Sequence, residues 1–170
     1  MIDNSMGENS MVDWQRKLIE LGIEETEFSP FTKETLAALE SHYKAKLPAA
    51  FREFLETYGH SLLGVSTNIS FGPDNQYGFG VSVFPKAEHM LNFETVDEVV
   101  PKKIVVFACD IFGNSACISL RPDTYGKVYW YDHNQVPSVH DVADDEEHFE
   151  CLVFMAESFE DWVERQEIDE

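Results

Sequence analysis

Leu47-Pro48-Ala49-Ala50-Phe51-Arg52-Glu53-Phe54-Leu55-Glu56-Thr57-Tyr58-Gly59 is the stretch whose reading decides the fold. Phe51, Phe54, Leu55 and Tyr58 recur at i, i+3, i+4 and i+7, the single apolar stripe of an amphipathic helix. Pro48 suits the first turn, where its missing N–H is no loss, and it disfavours helical geometry at Leu47. Gly59 can adopt the left-handed conformation that closes a helix. Beyond Gly59 the apolar period falls to two and Pro and Gly punctuate the chain, so the sequence changes here from helical to β.

Upstream, Met11, Trp14, Leu18 and Leu21 predict a short amphipathic helix stopped at Gly22. Thr32 reads as the N-cap of a second helix, with Phe31 and Leu36 at staple spacing and Leu36, Leu39 and Tyr43 on one face, ending near Lys46. Downstream, strands are predicted at Ser66 to Phe71, Gly80 to Phe84, Lys103 to Cys109, Ser115 to Leu120 and Lys127 to Tyr131. Ile104 to Cys109 is apolar on both faces, which places it centrally, under helices. Ala116, Ile118 and Leu120 share one face, as do Val128 and Trp130. The short turns at Gly113-Asn114 and from Pro122 to Gly126 predict antiparallel hairpins. Ser158, with Asp161 three residues on, predicts the start of a closing helix with Phe159, Trp162 and Val163 inward. The expected architecture is α+β: an antiparallel meander of five or six strands, with N-terminal helices and a C-terminal helix on one face. Residues 1–10 read as a mobile tail and 11–170 as one domain.

The chain has 170 residues, with 12 Lys+Arg against 32 Asp+Glu and a net charge of −20. Cations that could displace counterions from phosphates are outnumbered, so nucleic-acid binding is not expected. An anionic membrane surface would repel the chain, and its longest unbroken apolar run is six residues against the roughly 20 needed to span a bilayer. At 44% hydrophobic and 13% aromatic residues, the composition is that of a folding chain rather than a disordered one. Cys109, Cys117 and Cys151 are odd in number and widely spaced, which favours a reducing compartment. Residues 1–8 have neither the basic nor the apolar region of a signal peptide, and the expected location is cytoplasmic.

Four segments carry a resemblance. The Leu47 to Gly59 helix resembles that of the SUKH superfamily, the Smi/Knr-like proteins. Ile104 to Cys109 followed by Asp110-Ile111-Phe112-Gly113-Asn114 is similar to the family's central strand and its Asp-x-x-Gly-Asn turn. Cys117 to Leu120 with Gly126 to His133 resembles the next hairpin, and Ala156 to Trp162 the closing helix. The resemblance spans Thr32 to Glu164. The chain departs from the pattern at Tyr58-Gly59-His60, where the family commonly has Asn-Gly-Gly. The superfamily includes bacterial immunity proteins and a fungal cell-wall-synthesis regulator. The resemblance therefore implies an immunity protein that neutralises a cognate toxin domain, often a nuclease. A regulatory or scaffold module like the fungal branch is the alternative.

Catalytic constellations are not evident. Gly59-His60-Ser61-Leu62-Leu63-Gly64 lacks the spacing of a nucleophile elbow, and Gly126-Lys127-Val128 is no phosphate loop. Cys109, Asp110 and His133 could be arranged as a nucleophile system, but a neighbouring carboxylate opposes thiolate formation. Asp110 reads better as the side-chain support of a turn. His133, His140 and His148 stand at intervals unlike those of zinc ligands, and Asp141 to Glu150 lacks the alternation and glycine of a calcium loop. We expect no enzyme activity, no cofactor and no metal. The expected partner is a toxin protein with a basic surface, met through Tyr131, Asp132, Asp141, Asp144, Asp145, Glu146, Glu147 and Glu150. In this reading Asp141 to Glu150 is a mobile, solvated loop. Trp130 belongs to the core, and Tyr131, on the opposite strand face, is a surface aromatic.

Overall fold

The structure, a computed structural model, describes residues 12–91, 100–135 and 144–169. The expected tail over residues 1–10 and the candidate Asp141 lie outside the described residues. The described elements run α1 (Asp13–Glu20), α2 (Lys33–Tyr43), α3 (Ala49–Thr57), β1 (Thr67–Phe71), β2 (Tyr77–Phe79), α4 (Ala87–Leu91), β3 (Ile104–Cys109), β4 (Ser115–Ser119), β5 (Val128–Tyr131), α5 (Asp145–Glu150), β6 (Val153–Ala156), α6 (Phe159–Glu164) and β7 (Glu167–Ile168). This is an α+β fold with antiparallel sheets.

The stripe of α3 does what its spacing requires: Phe51, Phe54 and Leu55 are fully buried. Phe51 meets Phe107 of β3 at 5.5 Å between ring centroids, and Phe54 meets Phe159 of α6 at 5.1 Å. Phe107 in turn stands edge-on to Trp162 at 4.9 Å. These rings join α3 and α6 to the sheet across one apolar centre, with the T-shaped and tilted geometries that aromatic quadrupoles favour. Ser158 caps α6 as expected, its hydroxyl accepting from the Asp161 amide at 3.0 Å. Thr32 caps α2 likewise at 3.1 Å. That helix ends at Tyr43, short of Lys46, because Lys44 turns left-handed at φ 53°.

The strands form two sheets rather than one, of order β2-β1-β7 and β3-β4-β5-β6. β1 pairs with β2 and with the C-terminal β7, so its hydrogen bonds are used outside the meander. The expected strand over Gly80 to Phe84 is absent as a ladder. The Cys109 carbonyl accepts both the Ser82 and Val83 amides, at 2.8 and 3.2 Å, and this shared acceptor interrupts regular alternation. Val83 and Phe84 make only isolated bridges. β3, expected in the centre, is an edge strand of its sheet. It is nevertheless covered on both faces, Val105 and Phe107 in the main core and Ile104 and Val106 in a second apolar cluster.

That second cluster corrects the reading of Tyr131. In the β4–β5 register, Ala116 faces Trp130 and Ser115 faces Tyr131. Ala116, Ile118, Val128 and Trp130 enter the main core, as expected. Tyr131 does lie on the opposite face, but there it packs with Cys117, Tyr129 and Leu152 and is 1% exposed. Phe149 of α5 packs against this cluster, so one helix lies on the sheet face away from the others.

Candidate functional site

Two surface features emerge on the four-stranded sheet. The first is α5. The Asp144 side chain accepts from the Glu147 amide at 2.8 Å and starts the helix. Asp145, Glu146 and Glu147 occupy its first turn, where the unpaired N–H groups favour negative charge. Arg121, just beyond β4, ties the helix down. Its guanidinium donates to Asp145 at 2.9 Å and to Glu146 at 2.6 Å, and it lies 4.4 Å over the Phe149 ring. Asp145 also accepts the Lys102 amide at 2.7 Å. Phe149 meets Tyr129 edge-on at 5.2 Å, and His148 is buried.

Residues 144–150 are therefore a docked helix and not the mobile loop the composition suggested. The deciding partner, Arg121, is 24 residues away from Asp145 in sequence, and no local pattern announces it. Asp144, Glu146, Glu147 and Glu150 remain exposed, whereas Asp145 is half-buried and engaged.

The second feature is the β3–β4 turn. One oxygen of the Asp110 carboxylate accepts the Phe112 and Asn114 amides, each at 2.8 Å, and the Asp110 amide donates to the Asn114 carbonyl at 3.0 Å. Gly113 supplies the left-handed backbone at φ 90°. The Asn114 side-chain oxygen accepts from the His133 amide at 3.2 Å and from His133 Nδ1 at 2.8 Å, tying the turn to the end of β5. This brace carries Ile111 and Phe112, which are 78% and 72% exposed. The other large apolar side chains in the exposed class reach at most 52%. The sequence held a signal for this: two large apolar residues between Asp110 and Gly113-Asn114, where turn chemistry asks for neither.

The residues expected to act together are spread along the sheet, and Glu150 leads into β6, whose Val153 pairs with Trp130 two residues before Asp132. Asp132 sits at the Ile111–Phe112 end, where its carboxylate accepts the Asn134 amide at 3.0 Å. Asp144 to Glu150 belong to the helix whose start is held at the Arg121 end. Arg121 is six positions on from Ser115, about 20 Å at the rise of a strand. A cavity of about 650 Å³ also opens at the Arg121 end, and Lys44, Lys102 and Lys103 line it. Residues 110–114 and 131–135 contain no Lys or Arg.

Cys109, Asp110 and His133 do not converge into a nucleophile system. Asp110 is used by the turn, and His133 Nδ1 points to Asn114. The thiol lies 3.8 Å from His89 Nε2 instead. Burial pushes that thiol above its ordinary value; the Ser115 hydrogen bond lowers it and the charge of Asp110 raises it further. No helix among the described residues is long and apolar enough to cross a membrane.

The family model described as SMI1 / KNR4 family (SUKH-1) matches residues 30–165, from the residues before α2 to the end of α6. No curated protein matches the chain.

Proposed function

The chain belongs to the SMI1 / KNR4 family (SUKH-1), and from that premise we propose that it is an immunity protein that neutralises a cognate toxin domain by stoichiometric binding in the cytoplasm. The protein acts without turnover, cofactor or metal. Its partner presents a basic surface, such as the substrate groove of a nuclease, and carboxylates take the place of phosphates there. The observation that carries this reading is the docked acidic helix. Because Arg121 and Phe149 hold α5 in place, Asp144, Glu146, Glu147 and Glu150 are presented without the ordering cost of a mobile loop. A net charge of −20 adds long-range attraction toward a cationic partner.

Two of the residues expected at the interface drop out of this reading. The Tyr131 ring is enclosed and offers no contact surface, and Asp145 is committed to Arg121 and Lys102. Asp132 contributes from the end of the sheet that carries the β3–β4 turn. The test is co-expression with the polypeptide encoded beside this gene, followed by association kinetics at rising salt. Protection of the cells is expected, with an association rate that falls at least tenfold as the Debye length shrinks from about 10 Å at 0.1 M to about 3 Å at 1 M. Failure to protect refutes the function, and a rate indifferent to salt refutes the electrostatic part.

A further inference from the structure

We infer that the β3–β4 turn is the apolar anchor of this protein's interface: Ile111 and Phe112 insert together into an apolar pocket, rimmed by Lys or Arg, on the partner protein. The inference rests on the binding function proposed above and locates its hot spot. Three observations lead to it.

Exposure is the first. Ile111 and Phe112 are the two most exposed of the large apolar side chains described, and they are adjacent. The fold does not need them, because any polar residue could occupy the tip of a turn closed by Asp110, Gly113 and Asn114. Rigidity is the second. Two amides on the Asp110 carboxylate, and two His133 N–H groups on the Asn114 side chain, hold the tip before a partner arrives. An anchor already held in place loses little conformational freedom on binding. An aromatic and an aliphatic side chain on such a support match the composition of interface centres.

Charge is the third observation, and it selects the occupant. Asp110 and Asp132 flank the tip, and residues 110–114 and 131–135 hold no Lys or Arg. The cations Lys44, Lys102, Lys103 and Arg121 lie at the far end of the sheet. A pocket that receives the two side chains therefore meets carboxylates at its rim and is complementary when that rim is cationic. An anionic lipid surface, which two exposed apolar side chains could otherwise enter, is repelled by the same carboxylates. A second copy of this chain, with the same net charge of −20, is disfavoured by long-range repulsion.

The test uses the full chain and, as probe, the toxin domain encoded beside its gene, with wild type, I111S, F112S, I111S/F112S, F112L and, as control, L62S. Binding kinetics are measured by surface plasmon resonance and folding by thermal melts. We expect each serine variant to weaken binding about tenfold or more and the double variant about a hundredfold or more. The loss should fall in the dissociation rate, with the melting temperature unchanged. F112L and L62S should bind within about threefold of wild type. If wild type binds and I111S/F112S binds equally well, the anchor assignment is overturned while the function stands. If wild type does not bind, both are overturned. Sedimentation with phosphatidylglycerol vesicles that requires Ile111 and Phe112, or self-association that requires them, would overturn the protein-pocket assignment.

Discussion

Arg121→Met is the perturbation that most sharply probes how the acidic surface is held. Methionine keeps an aliphatic stem over Phe149 and removes the guanidinium, whose side chain is only 14% exposed. Four contacts are lost, the weakest being a 3.4 Å bond to the Lys102 carbonyl that adds little. The Asp145 bond, to a carboxylate 34% exposed, is worth about 1 kcal/mol after discounting for solvent. The Glu146 pair, with its carboxylate 61% exposed, adds roughly 0.2–1 kcal/mol. The cation over the Phe149 ring adds about 0.5–1 kcal/mol. Together they amount to about 2–3 kcal/mol. If α5 opens locally, that loss speeds amide exchange across residues 145–151 by roughly 30- to 150-fold, at a tenfold change per 1.4 kcal/mol. If it is expressed globally, the melting temperature falls by about 4–12 °C. Hydrogen-exchange mass spectrometry and calorimetry distinguish these outcomes. Unchanged exchange in α5 together with a melting temperature within 1 °C of wild type would refute the claim that Arg121 docks the helix.

Asp110→Ala should cost about 0.5–1.5 kcal/mol by removing the acceptor of the Phe112 and Asn114 amides, and it should broaden the backbone NMR signals of residues 111–113. Gly59→Ala should destabilise by more than about 2 kcal/mol in urea unfolding. Gly59 has φ +60°, and a Cβ there would collide with the Ser29 carbonyl oxygen. Tyr58 gives a pH dependence. Burial first, then the charge of Glu24 and the hydrogen bond to it, push its pKa up to about 12. The folded state therefore favours the protonated phenol. Its contribution is complete below the unfolded value near 10 and is lost as pH rises toward 12. Unfolding free energy should decline across that window, and Tyr58→Phe should flatten the decline.

Legibility in the sequence followed the range of the interactions. α3 and the α6 cap were readable because their determinants lie within one or two helical turns: Phe51, Phe54 and Leu55 on one stripe, and Ser158 beside Asp161. The inward alternation of β4 and β5 was readable for the same reason. The pairing of β1 with Glu167–Ile168 was not, since nothing near Thr67 specifies a partner a hundred residues on. Tyr131 misled because alternation assigns a face and cannot say whether a helix covers it. The acidic run from Asp144 concealed a helix for a similar reason, as Arg121 and Lys102 come from other parts of the chain. Ile111 and Phe112 were readable in principle, through the misfit between their apolar side chains and the turn residues around them.

The central claim is neutralisation by a one-to-one complex, and titration of the toxin domain's activity tests it most directly. With toxin well above the dissociation constant, residual activity should fall linearly and reach zero at one equivalent of this protein. Inactivation that continues at a tenth of an equivalent would mean turnover and contradict the account. Full activity at several equivalents would contradict it as well.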